Sequence, residues 1–236
     1  MLRKIYIILL GLSLTLSARA DDPKPPWQRL LTGDDAKKAA EVKKRIAQLE
    51  WADKYPEAVR LQEELLALRT KVQGADHWEA VDEKWKLMTL KKIAALPEEK
   101  RTGWRKARRG AVEADQLEQK AQYPAALPLR QGFLRWSRQV LGEDHPDTAM
   151  SYNNLALNLN AQARYAAAEP LSQKALDISR KVLGEKHPYT AVSYDNVGFN
   201  LNSLGKYVEA GPIFQNALDI FLKVLGEDDP DTVTLL

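Results

Sequence analysis

The 236-residue chain has no cysteine, only three histidines and only three methionines. Without thiols there is no disulfide scaffold, no thiolate metal site and no cysteine nucleophile. A core built from about 200 residues can do without such staples. Long apolar runs are also missing, with the single exception of Ile5–Leu16, and no second span follows it. The chain has no glycine-rich phosphate loop, no His-Glu-x-x-His helix and no Gly-x-Ser-x-Gly elbow. Its acidic residues do not form an isolated pair in a matched environment of the kind acid–base catalysis uses. We therefore expect a protein that is not an enzyme and needs neither cofactor nor metal.

An excess of positive charge is lacking too, once the first twenty residues are set aside. The formal net charge is +3, and Arg3, Lys4 and Arg19 account for all of it. The global basic character that would suggest nucleic-acid binding is absent, and none is expected. What remains is an asymmetry: residues 21–140 are mildly basic and residues 141–236 acidic. Arg3-Lys4, the short apolar run and Ala18-Arg19-Ala20 read as a secretory signal peptide over residues 1–20, too short and wrongly flanked for a membrane span. Export to a periplasm or to the exterior is the expectation. An uncleaved anchor is the alternative, and no integral membrane segment is expected after cleavage.

What the chain does contain is a repeat. Leu141-Gly142-Glu143-Asp144-His145-Pro146-Asp147-Thr148 returns at Leu183–Thr190 and again at Leu225–Thr232, offset by 42 residues each time. Such a period marks stacked supersecondary units. Gly142 stands where a left-handed residue ends a helix, Pro146 suits the first turn of the next, and Asp147 places negative charge at its start. The unit reads as helix A from about Asp147 to Gln162 and helix B from about Ala166 to Val182. Tyr152, Leu155, Ala156 and Leu159 form the buried stripe of A; Ala168, Leu171, Ala175, Leu176 and Ile178 form that of B. Neither stripe can be buried alone, but stacked pairs bury both.

The units fall at 35–76 (a degenerate first repeat, with Tyr55 at its turn), 77–144, 145–186 and 187–228, after a proline-rich linker at 21–34. Residues 229–236 begin a unit that stops early, which suggests a chain shortened from a longer parent or an end covered by a partner. In the second unit the turn tyrosine, Tyr123, lies 68 residues after Tyr55, so about 26 residues are inserted. We expect the insert to form an extended helical pair, ending one helix at Pro97 and weakened in the next by Gly103 and Gly110, that projects from or caps the stack.

Tyr152…Leu155-Ala156…Tyr165…Ala168…Ala175 resembles the tetratricopeptide pattern. Asn-Asn-Leu-Ala, Ala-Glu-Pro-Leu and Leu-Gly-Glu-x-His-Pro in a 42-residue unit look like the repeats of kinesin light chains and their bacterial relatives, here an exported one. The likeness covers Tyr123–Thr232 strongly and Asp35–Gln122 weakly, and nothing of a kinesin motor is visible. It implies an all-α solenoid, a right-handed superhelix of antiparallel helix pairs, that binds protein or peptide in the groove lined by its A helices.

Counted from Tyr152, the groove positions are Met150, Asn153, Asn154, Leu157 and Asn160, then Val192, Asp195, Asn196, Phe199 and Asn202. Asparagine both donates and accepts, so a row of them can pair with an extended backbone while Leu157 and Phe199 take its side chains. Asn154 and Asn196 serve equally well as bonds between neighbouring helices. His145 and His187 each precede a helix-starting proline, and the third copy has Asp229. That exchange fits N-caps rather than a metal or acid–base pair. Lys91, Lys92, Arg101, Arg105, Arg108 and Arg109 around Trp104 offer a basic surface for an anionic membrane, a nucleic acid or another copy's acidic half; the favoured alternative is a solvated pair whose Trp85 and Trp104 pack together. The chain thus reads as a non-catalytic interaction scaffold. The alternatives are a self-associating module joined through its C-terminal repeat and the front of a larger effector.

Overall fold

The computed structural model describes Lys24 and residues 28–235; the signal reading and the three prolines of the linker lie outside them. Among the described residues there are ten helices and no strand: α1 (Gly33–Trp51), α2 (Tyr55–Gln73), α3 (Trp78–Ala94), α4 (Glu98–Gln119), α5 (Tyr123–Val140), α6 (Pro146–Ala161), α7 (Tyr165–Val182), α8 (Pro188–Ser203), α9 (Tyr207–Val224) and α10 (Pro230–Leu235). No described helix is long and apolar enough to cross a membrane.

Apart from the link between α3 and α4, two kinds of connection alternate, and each carries one left-handed residue. Inside a pair it is Asp53 (φ 60°), Ala121 (56°), Ala163 (56°) or Gly205 (76°). After a pair it is Gly74 (94°), Gly142 (98°), Gly184 (86°) or Gly226 (90°), where the lack of a Cβ removes the penalty of that conformation. The turns make α1, α4, α6 and α8 first helices of pairs, and α2, α5, α7 and α9 second helices.

The loop signature can be explained atom by atom. His145 and His187 accept through Nδ1 from the backbone N–H of Asp147 and Tyr189, each at 3.1 Å, and cap α6 and α8. Burial holds the His145 imidazole below its ordinary pKa, which keeps the neutral, accepting form that the cap requires. Thr148 and Thr190 donate to the carbonyls of Gly142 and Gly184, each at 2.7 Å. Glu143 and Glu185 accept from Tyr152 and Tyr194 at 2.8 and 3.1 Å, and from Arg138 and Arg180 on the preceding helix at 2.8 and 2.5 Å. The histidine, threonine and glutamate of the loop together hold the start of a first helix.

The inserted residues do not form a projecting hairpin. α3 begins after Gly74 as a first helix does, capped by His77 Nδ1, which accepts from Glu79 N at 3.3 Å. It packs on α2, while α4 packs on α5 as the first helix of that pair. The insert is one extra first-type helix taken into the stack. The reason is polar as well as apolar. Arg69 of α2, 6% exposed, holds Glu83 of α3 at 3.1 Å and Glu79 at 2.6 Å, and Gln62 donates to Glu83 at 2.7 Å. Trp104 of α4 is buried against Phe133 of α5.

The core runs in three stretches. α1 to α4 share Ile46, Leu49, Tyr55, Leu65, Leu90, Ile93 and Trp104 with the end of α5. Leu134, Leu155, Leu159 and Ile178 fill the space between α5, α6 and α7, and Tyr194, Val197, Leu201 and Phe221 that between α8 and α9. Gly198 is buried in α8 because a Cβ there would lie 2.8 Å from the Phe214 ring of α9.

Candidate binding groove

Met150 and Leu157 lie seven residues apart on α6, and Phe199 on α8 repeats the position of Leu157 in the next unit. All three keep more than two fifths of their surface in water: 44%, 42% and 47%. They form a row of large exposed apolar side chains across two adjacent first helices. Asn154, Val192 and Asp195 lie half-buried beside them, and Asn202 is exposed.

Three of the expected contacts are inside the protein instead. Asn153, 2% exposed, donates to Tyr189 Oη at 3.2 Å and Ser193 Oγ at 3.0 Å, joining α6 to α8. Asn160, 5% exposed, accepts from Asn200 at 2.8 Å. Asn196 is buried. The helical count places these side chains on the edge of the groove face, where the neighbouring helix of the stack covers them. Asn158 and Asn200 escaped the sequence reading. They donate to the carbonyls of Tyr123 and Tyr165, each at 3.0 Å, and tie a first helix to the start of the second helix before it. Their signal was the Asn-Leu-Asn triplet that recurs at 158–160 and 200–202.

Burial pushes the Asp195 carboxyl above its ordinary pKa, and no cation is within ion-pair distance of it among the described residues. Its ionised form is therefore under-solvated and suited to accept N–H groups or a cationic side chain from a bound segment. Above the raised pKa the desolvation penalty is fully present; it vanishes once pH falls below the ordinary carboxylate value. Asp195→Asn should accordingly raise Tm at neutral pH, and the gain should disappear on acidification. A melting series across pH checks this, and a Tm lowered at neutral pH would contradict it.

At the Met150 end the groove opens into a cavity of about 490 Å³ that α3 walls off with Trp85 and Lys86. Glu50 at its floor is 3% exposed and held by Lys86 at 2.9 Å and Arg108 at 3.2 Å.

The basic residues of the insert are mostly committed to internal partners. Lys91 pairs with Glu63 at 2.7 Å and Lys92 donates to Leu141 O at 2.8 Å. Arg101 and Arg105 share Asp53 at 3.2 and 3.6 Å, and Arg108 and Arg109 lie over the Trp51 ring at 5.2 and 5.9 Å. Trp85 meets His145 edge-on and Trp104 meets Phe133, so the tryptophans do not stack on each other. The four arginines tie α4 to the end of α1 and the turn after it, while Lys91 and Lys92 of α3 stay exposed. No group of three His, Asp or Glu residues suited to a metal occurs among the described residues.

The alternation of left-handed turns, the loop ties and the first-helix groove are the framework of one repeat family. The sequence matches the tetratricopeptide repeat over residues 49–79, 148–189 and 190–231. The chain carries tetratricopeptide repeats and their all-α fold. Among solved structures, its fold is similar to BtubC (BKLC) from P. vanneervenii, with 18% identity over 86% of this chain and 81% of that one and a TM-score of 0.54. A protein of Podosopora anserina described as a kinesin light chain with nearly identical TPR-like repeats aligns at 17% identity over 87% of this chain and 84% of its own, with a TM-score of 0.45. No curated protein matches the chain. Tetratricopeptide repeats are general protein-interaction scaffolds, and the fold is typically non-catalytic.

Proposed function

We propose that this protein is a non-catalytic scaffold that holds an extended protein segment along α6 and α8. The observation that carries this is the exposed row Met150, Leu157 and Phe199, set among Asn154, Asp195 and Asn202. The groove walls are rigid helices locked by the Asn158 and Asn200 bonds, so little ordering is lost on binding. Apolar side chains of the segment would seat on the row, and its N–H groups would face Asp195 and the asparagines. Residues 1–20 support export as the setting, with the mass of the mature protein from a bacterial host as its check.

Peptides selected from a random display library against the full chain provide the test. Leu157→Ala with Phe199→Ala should weaken the selected peptides by about 10-fold or more, since each removes a contact of hot-spot type. Asn160→Ala, a change inside the fold, should lower stability without selectively lowering affinity. Selected peptides indifferent to the double variant would refute groove binding.

A further inference from the structure

A second concave site lies away from the groove, where α3 crosses the loop before α8 and the end of α9. It is a cavity of about 500 Å³ whose rim carries Lys24, Lys186 and Lys223. Among the described residues Asp76 is the only acid lining it, and Arg29 already holds that residue at 3.1 Å. None of the three lysines has an ion-pair partner among the described residues.

The repeat shows how unusual this is. One unit earlier, Lys181 of α7 pairs with Asp144 in the loop at 2.6 Å. The residues 42 positions on are Lys223 and Lys186: the lysine is kept and its aspartate partner has become a second lysine. The third copy of the loop returns to aspartate at Asp228, so the change is confined to this loop. A second departure converges here. Where the other copies have Pro146, Pro188 and Pro230, α3 begins with Trp78, and its indole lies on the cavity.

Trp78 Nε1, Arg29 Nε and His187 Nε2 are buried polar nitrogens with no hydrogen-bond partner among the described residues. His187 is 4% exposed; Asp82 Oδ1 stands 3.3 Å from its Nε2 without hydrogen-bond geometry. Buried donors are ordinarily satisfied; His187 already faces the Asp82 carboxylate, and the Trp78 and Arg29 nitrogens on this cavity call for an acceptor. Leu183 and Val224 add apolar wall.

We infer that this cavity is a docking site for an acidic protein segment, whose carboxylates take the place that Asp144 holds beside Lys181 one repeat earlier. Lys186 and Lys223 bind the carboxylates, the Trp78 indole donates to one of them, and an adjacent apolar side chain rests on Leu183 and Val224. This site is independent of the groove on α6 and α8.

The test uses a fluorescein-labelled peptide of glutamate and leucine, titrated into the full chain with anisotropy as readout. Binding should weaken as salt rises. Lys186→Asp restores the residue type of the neighbouring loops and gives Lys223 an internal partner, so the fold is not at risk. It should cost about 10-fold or more in affinity while leaving Tm unchanged or slightly higher. Trp78→Phe, which removes the indole donor, should weaken binding several-fold. The groove variant Leu157→Ala with Phe199→Ala should bind this peptide as the wild type does. The inference is overturned if Lys186→Asp binds normally, or if the groove variant loses binding. It is also overturned if inorganic phosphate displaces the peptide at millimolar concentration, which would make this a small-anion site. Light scattering that shows a dimer dissolved by the peptide would assign the cavity to a second copy instead.

Discussion

Arg69→Ala should destabilise the protein by about 3–5 kcal/mol, the range for removing one partner of a buried ion pair. Arg69 is 6% exposed and touches three side chains: Glu83 at 3.1 Å, Glu79 at 2.6 Å and Gln73 at 2.8 Å. Glu83 is itself only 5% exposed and would lose its guanidinium. It keeps Lys43 at 2.9 Å and Gln62 at 2.7 Å, which places the expected loss toward the lower end of the range. Desolvated charge rather than lost area sets the size of this effect. Arg69→Ala made together with Glu83→Gln should therefore cost much less than the sum of the two single changes, because the second change removes the charge that the first leaves stranded. Urea unfolding of the four proteins measures the coupling. Additive losses would mean that the pair is not the tie between α2 and α3.

Gly103→Val should cost about 2–3 kcal/mol, although glycine inside a helix is ordinarily the weaker choice. Propensity alone favours replacing it, by up to about 1 kcal/mol for alanine and less for valine. The close approach of α4 to α5 reverses the sign. A Cβ at 103 would lie 2.3 Å from Trp136 Cη2 and 2.5 Å from its Cζ2, so the indole or the helix must move. Overpacking of this kind typically costs about 1–3 kcal/mol, and valine brings two methyl groups to the clash. Gly110, seven residues along the same helix, is the internal control. A Cβ there meets only Leu129 Cδ2 at 3.4 Å. Gly110→Ala should be neutral or stabilising by about 0.5–1 kcal/mol as propensity takes over. Thermal or chemical denaturation of the two variants checks the opposite signs, and equal effects would contradict the packing account.

These two predictions separate what was legible from what was not. The 42-residue spacing, the left-handed Gly142 and its copies, the caps at His145 and His187, and the all-α stack follow from local chemistry. Each needs only neighbours within a turn or one repeat of the chain, and the repetition supplied the same evidence three times. The exposed members of the groove row, Met150, Leu157 and Phe199, came from helical counting in the same way.

Tertiary structure decided the rest, because it depends on which surfaces meet. Gly103 looked like a defect in α4 until the Trp136 ring was placed on it. The arginines of the insert looked like a surface until Glu50 and Trp51 of α1, and Asp53 in the turn after it, came beneath them, some fifty residues away in sequence. Asn160 and exposed Asn202 hold the same place 42 residues apart, and only the contact of Asn160 with Asn200 of the adjacent helix tells which one faces water. The extra helix α3 departs from the period, so repetition could not place it. A buried arginine, two carboxylates and a glutamine fix it on α2, and each of those side chains, read alone, would have been assigned to solvent.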